Sequence, residues 1–370
     1  MLEHIIREKI KREGPITFEI FMDLGLYHPE FGYYMSDNIR IGPPGDFYTS
    51  PHIHPIFGWL LANQLDEIKR AMGNPDDFTI LEIGAGRGYL AAAILDFVQK
   101  NLKWKGKWKY IIVERNPHTL QDQKQHLEGY EPLVTWKNSL AEVGQFCGCI
   151  IANEVLDAFP VHIVIMKDQF QEVYLQADQK GFIEIIGDLS SPELSEYIRK
   201  YNLPEKRGYR TEINLRIKDY LNDINTILSE GSVISIDYGY SAWEYYAEER
   251  NRGTLLCYHK HKINENPYMN IGDQDITAHV NFSALKDWGN DLGLKTIGYC
   301  SQGTFLASLG IDEIISNELQ KDPAFELELL KIKGLLFDMG ESHQVMIQHK
   351  GNSDIQDLRG FKLSNRVNKL

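Results

Sequence analysis

The sequence predicts an α/β protein with a parallel sheet, and three observations predict it. Apolar runs of strand length recur at Thr79–Ile83, Tyr110–Val113, Val134–Trp136, Cys149–Asn153 and Val233–Asp237. Helix-like segments such as "LAAAILDFVQKNL" (90–102) and "NPHTLQDQKQHL" (116–127) separate the earlier runs, as right-handed crossovers between parallel strands require. The first run ends in "EIGAGRGYL" (82–90), where glycines at alternate positions let a backbone approach a ligand closely.

The elements around that core follow in order. Ile5, Ile6 and Ile10 have helical spacing, and Thr17 before "FEIFMDLGLY" predicts a capped second helix. Tyr27, Phe31, Tyr33 and Tyr34 read as packing between these elements, and "GPPGDFYTSP" (42–51) as a turn-rich loop. "IFGWLLANQLDEIKRAM" (56–72) reads as an amphipathic helix. Beyond the fourth strand, alternating strands and a long helix fill 161–230, and 240–280 reads as irregular, aromatic and polar. A helix at 281–294, strands at Lys295–Cys300 and Gln344–Gln348, and a helical stretch at 305–337 between them complete the pattern. The last 20 residues read as a frayed tail.

Composition bounds the function. The chain has 370 residues, is 43% hydrophobic and carries a formal net charge of -13, which argues against a general nucleic-acid binder. Four cysteines make no disulfide framework, and "CGC" (147–149) lacks a second ligand pair for zinc, so it reads as strand packing in a reducing compartment. "MLEHIIREKIKREG" has no signal-peptide apolar core, and no run approaches a membrane span of about 18 residues. The expectation is a cytoplasmic protein without membrane association and without a metal.

The glycine turn admits three ligands. A P-loop needs Lys followed by Ser or Thr after the last glycine, but Tyr89-Leu90 follows Gly88. A dinucleotide fingerprint needs G-x-G-x-x-G, whereas Gly84, Gly86 and Gly88 are spaced G-x-G-x-G. With Glu82 ahead of them, these residues and Ala85 resemble motif I of class I S-adenosylmethionine-dependent methyltransferases. There the loop passes the methionine end of the cofactor, and the acid organises loop and amino group. Glu114, past the end of the second strand in "KYIIVERN", stands where a carboxylate accepts hydrogen bonds from ribose hydroxyls. Asn138 and Ser139, after the third strand, stand where that superfamily contacts adenine.

A closer resemblance runs through "GDFYTSPHIHPIFGWLLA" (45–62), "NEVLDAFPV" (153–161), "RGTLLCYHKHK" (252–262), "GDQDITAHVNF" (272–282), "QGTFLASLGI" (302–311) and "MGESHQVMIQ" (339–348). These blocks look like the MidA-like methyltransferases, whose mitochondrial members serve as complex I assembly factors and are regarded as protein arginine methyltransferases. The likeness runs in order from about residue 15 to 350. It implies a Rossmann-like class I methyltransferase sheet, mostly parallel with an antiparallel last strand. It also implies an N-terminal helical or lid region at 1–78, a methyltransferase domain at 79–350 with insertions at 161–230, 240–280 and 303–340, and a tail at 351–370. Lys260 and Lys262 depart from the arginines usual in the family, which weakens bidentate binding of an acidic partner.

The implied activity is methyl transfer to an arginine side chain of a partner protein. A cofactor-binding assembly factor and a small-molecule N- or O-methyltransferase are the alternatives, and the oligomeric state, a homodimer included, is left open. A guanidinium needs a carboxylate to hold it and take its proton. Glu154, with Asp157 as helper and Asn153 beside it, ends a strand at the carboxyl edge of the sheet, where α/β sites open. Asp157 also reads as a helix cap. Asp46 and Ser50, with Thr49, are candidates to close over the cofactor, and Asp237, Asp275 and His279 to face the substrate. His52 and His54 lack further ligands for a metal, and His259 and His261 read as substrate contact or surface.

Overall fold

The computed structural model describes residues 1–36, 50–179, 181–260 and 262–370. Its central sheet comprises β1 (Asp77–Ile83), β2 (Lys107–Val113), β3 (Val134–Lys137), β4 (Phe146–Asn153), β5 (Leu228–Tyr240), β6 (Lys295–Ser301) and β7 (His343–Lys350). Their order is β3-β2-β1-β4-β5-β7-β6. β7 runs antiparallel to both of its neighbours, and the others are parallel. Each of the seven strand runs given bounds from the sequence falls within one of these seven.

Both faces of this sheet are covered, so its strands read as continuous apolar runs rather than alternating ones. Residues of one parity, such as Ile80, Ile112, Ile151 and Ile234, share a core with helices Ile56–Ala71 and Tyr89–Phe97. The opposite parity, Leu81, Ile111, Ile150 and Val233, packs with helices Arg216–Ile227 and Phe282–Asp291. At Gly148 a Cβ would sit 1.9 Å from the Thr79 carbonyl oxygen, so only glycine fits where β4 passes β1.

A second body caps the carboxyl edge. Strands His162–Met166, Phe170–Ala177, Phe182–Gly187 and Arg210–Ile213 form an antiparallel sheet. Ile16–Thr17 joins it, with Ile16 opposite Leu175. Helices Leu2–Glu13 and Phe18–Tyr27 pack onto this sheet through Ile6, Phe18, Phe21 and Met22. The Thr17 hydroxyl accepts the Ile20 N–H at 3.3 Å, the cap that the sequence predicts.

Three expectations are corrected. Residues 240–280 hold a three-stranded antiparallel sheet, Leu256–His259, Lys262–Asn264 and Asp275–Thr277, whose strands are too short to show a period. The helical stretch breaks into Gln302–Ser308, Ile311–Lys321 and Leu329–Phe337, at Gly310 with φ 86° and at Pro323. The last residues do not fray: Ile355, Leu358 and Phe361 are buried, and the Gly360 N–H donates to Gln64 Oε1 at 3.1 Å. Sparse apolar residues anchor that segment, which a composition reading passes over.

Candidate active site

The carboxyl ends of β1, β2 and β4 open into a cleft of about 600 Å³ whose opposite wall comes from the cap. On one side lies the glycine turn, with φ of 65°, 53° and 82° at Gly84, Gly86 and Gly88. Gly84, Ala85 and Gly86 line the cleft, while Gly88 starts the helix Tyr89–Phe97. Glu82 is buried at the cleft floor, where the Tyr110 hydroxyl donates to its Oε2 at 2.6 Å. Burial pushes its carboxyl up to about 7 against that bond.

Glu114 faces the same space from the end of β2. Its Oε1 accepts the Asn116 N–H at 2.9 Å and its Oε2 the Gln123 amide at 3.1 Å. Burial still leaves its carboxyl above the ordinary range. The Gln123 Nε2 also donates to the Gly86 carbonyl at 2.8 Å, and Gln123 Oε1 accepts from the Trp136 indole at 3.1 Å. Gln123 thus ties the turn, the acid and β3 together. The sequence reading missed it because an exposed-looking helix glutamine has no local signature.

The other cofactor candidates scatter. Ser139 lines the cleft, whereas Asn138 is exposed and hydrogen-bonds through Nδ2 to Glu142 Oε1 at 3.3 Å. Asp46 and Thr49 lie outside the described residues. Ser50 is fully buried and donates to Gln302 Oε1 at 3.2 Å, so Pro51 and His52 line the cleft in its place.

The opposite side is built from the chain leaving β4. Asn153, Glu154 and Asp157 all line the cleft. Glu154 takes φ 52°, a left-handed conformation that costs a non-glycine residue roughly 1 kcal/mol. Asp237, buried at the end of β5, holds this segment. Its Oδ2 accepts the N–H groups of Val155, Leu156 and Asp157 at 3.2, 2.9 and 3.2 Å. Burial, then the Glu154 charge, pushes the Asp237 carboxyl up to about 7. Asp237 therefore serves the turn, and it is absent from the cleft lining.

Asp157 caps no helix, because residues after Asn153 form turns. Burial first, then the charges of Asp237 and Asp275, raises its carboxyl far above the usual range. Asp275 opens the strand Asp275–Thr277, and its Oδ1 accepts the Tyr34 hydroxyl at 2.8 Å at the cleft wall. Tyr27 and Tyr34 do pack as a stack 5.6 Å apart, yet both also line the cleft. The Tyr27 hydroxyl donates to the Ala158 carbonyl at 2.9 Å.

The histidines separate. His52 meets Tyr89 edge-on in the cleft, and burial pushes its imidazole down to about 4. His54 turns away and accepts the Ile56 N–H at 3.0 Å. His279 is set beside Tyr238 and Tyr240, outside the cleft lining. His259 Nδ1 lies 2.7 Å from the Asp273 carbonyl, and His261 is outside the described residues. Among the described residues, no group of three or more His, Cys, Asp or Glu is placed to hold a metal. No helix among them is long and apolar enough to cross a membrane.

The cofactor side suits a nucleoside without phosphates: a turn with glycine at every second position, and a carboxylate where a phosphate would need a cation. A sheet in the order β3-β2-β1-β4-β5-β7-β6 with β7 reversed, and such a turn after β1, is that of a class I methyltransferase. Residues 60–300 match the model of the family "Putative S-adenosyl-L-methionine-dependent methyltransferase", and the chain belongs to it.

A Burkholderia thailandensis structure, a candidate methyltransferase bound to S-adenosyl-homocysteine, matches with a TM-score of 0.91 at 29% identity, over 100% of this chain and 96% of that one. The Drosophila melanogaster protein arginine methyltransferase NDUFAF7 homolog, mitochondrial, is 28% identical, covering 81% of this chain and 73% of its own. Its Homo sapiens counterpart is also 28% identical, over 92% of this chain and 81% of its own. The chain is an S-adenosylmethionine-dependent methyltransferase. The cytoplasmic expectation is corrected: these relatives are named as mitochondrial proteins. Unpaired cysteines fit any reducing compartment, so they did not single out the cytoplasm.

Proposed function

We propose that the protein methylates a nitrogen of an arginine side chain on a partner protein. The observation that carries this reading is the convergence of Glu154, Asp157 and Asp275 with Tyr27, Tyr34 and Tyr258 on one side of the cleft. Carboxylates between aromatic rings suit a flat organic cation. Arg216 also lines the cleft, but its guanidinium is engaged by Glu19. Relatives named as protein arginine methyltransferases support the same acceptor.

Bound S-adenosylmethionine supplies a methyl group activated on a sulfonium. The chain's residues do the rest by positioning. In this reading Glu114 accepts from the ribose hydroxyls, Gly84, Ala85 and Gly86 pass close to the amino-acid end, and Glu82 braces the turn. Gly88 sets the helix behind it, and Ser139 borders the adenine. Glu154 accepts hydrogen bonds from the guanidinium and receives its proton. Asn153, whose Nδ2 lies 3.3 Å from Glu154 Oε1, steadies that carboxylate, and Asp157 supports it. In this reading the helices Leu2–Glu13 and Phe18–Tyr27, the antiparallel sheet they pack on and the strand Asp275–Thr277 act as the acceptor-side cap of the methyltransferase domain.

Glu154→Gln is expected to lower turnover on arginine peptides about 100-fold while leaving cofactor affinity unchanged. Labelled S-adenosylmethionine with peptides and calorimetry measure the two quantities. Unchanged turnover removes Glu154 from the reaction, and labelling of lysine but not arginine peptides overturns the acceptor.

A further inference from the structure

His343 opens β7, which places it beside the carboxyl end of β5, where it is paired with Tyr238. It is fully buried, directly behind the wall that carries Glu154. Its Nδ1 lies 3.0 Å from the Met339 carbonyl oxygen, an atom that only accepts, so Nδ1 carries a hydrogen. The Ser342 hydroxyl, itself directed at the Asp338 and Met339 carbonyls, lies 3.1 Å from the same nitrogen. Nε2 has no hydrogen-bond partner and faces Glu154 Oε2 at 3.7 Å. A neutral ring with Nδ1–H would aim a lone pair at a carboxylate inside the protein. A doubly protonated ring aims an N–H at it instead.

We propose that His343 is a positioning residue: a buried imidazolium whose Nε2–H fixes the Glu154 carboxylate toward the acceptor. This rests on the role of Glu154 proposed above. Asn153 donates to Glu154 Oε1 at 3.3 Å and His343 Nε2 faces Oε2, so each carboxylate oxygen has its own neighbour. The Tyr238 ring, 3.9 Å away between centroids, covers one face of the imidazole and suits a cation.

The groups that face His343 are Glu154 from the end of β4, Asp237 and Tyr238 from β5, and His279. Burial opposes its charge, yet Glu154 and then Asp237 outweigh burial and raise its pKa above the ordinary 6.5. The sign follows: the pairing needs the imidazolium, so it is lost as pH rises through the raised value.

Nitrogen-15 NMR of histidine-labelled protein, with kinetics of His343→Gln, tests this. The expected result is a His343 with both ring nitrogens protonated at pH 7, and a titration that moves to lower pH in Glu154→Gln. His343→Gln is expected to lower kcat about 100-fold with little change in cofactor affinity, and to abolish an alkaline fall in the wild-type kcat profile. A wild-type His343 that is neutral at pH 7 overturns the proposal even if His343→Gln fails to fold. A folded His343→Gln with unchanged kcat and pH profile overturns it as well. A charged His343 with a fully active Glu154→Gln instead overturns the acceptor role of Glu154, and the positioning role with it.

Discussion

The two sides of the cleft are built in opposite ways. The cofactor side comes from one continuous stretch, β1 through β3, in which Glu82, the glycine turn and Glu114 follow the chain. The acceptor side is assembled from distant pieces: Tyr34 and Asp275 are 241 residues apart, and Asp237 holds Val155 across 82. A local site places its groups through secondary structure, whereas an assembled one depends on buried polar clamps. The first tolerates loss of single contacts, and the second does not.

Three substitutions sharpen that contrast. Asp237→Ala strands the N–H groups of Val155, Leu156 and Asp157, the last two buried, and should cost about 3 kcal/mol of stability, read as a lower urea midpoint. Cofactor affinity in the surviving folded protein should stay near wild type; an equal loss there would mean the two sides are one unit. Glu114→Ala should weaken cofactor binding by about 30-fold, or about 2 kcal/mol, in calorimetry, with little effect on unfolding. Smallest is Gln123→Ala. One lost brace should reduce cofactor affinity about fivefold, or about 1 kcal/mol, because secondary structure still holds Gly86 and Glu114. A loss as large as that of Glu114→Ala would show that the side is clamped after all.

The same difference explains what was legible. Strands buried on both faces announce themselves as apolar runs, so all seven were visible, and the spacing of the turn after β1 excluded two ligands while its likeness to motif I, with Glu82 ahead of it, named the third. Glu114 could be placed at the cleft because a strand end fixes where its side chain begins. Asn138, by contrast, turns outward because the short helical turn Leu140–Glu142 presents Glu142 to it, a detail below the resolution of pattern. Ser50 has the right neighbours in sequence and the wrong ones in space, for Gln302 captures it. Gln123 and His343 act through partners on other elements, and no spacing rule points to such contacts.

The pairing of Ile16–Thr17 with Phe170–Ala177 has a consequence for the order of events during synthesis. The first helices cannot dock until the ribosome has delivered the chain past Ala177, by which point β1 to β4 have already emerged. The nucleoside-facing half is thus available to collapse early, while the roof waits on a long loop closure. Nascent chains stalled before that pairing would expose Phe18, Phe21 and Met22, which makes this interval the one in which a chaperone has most to hold.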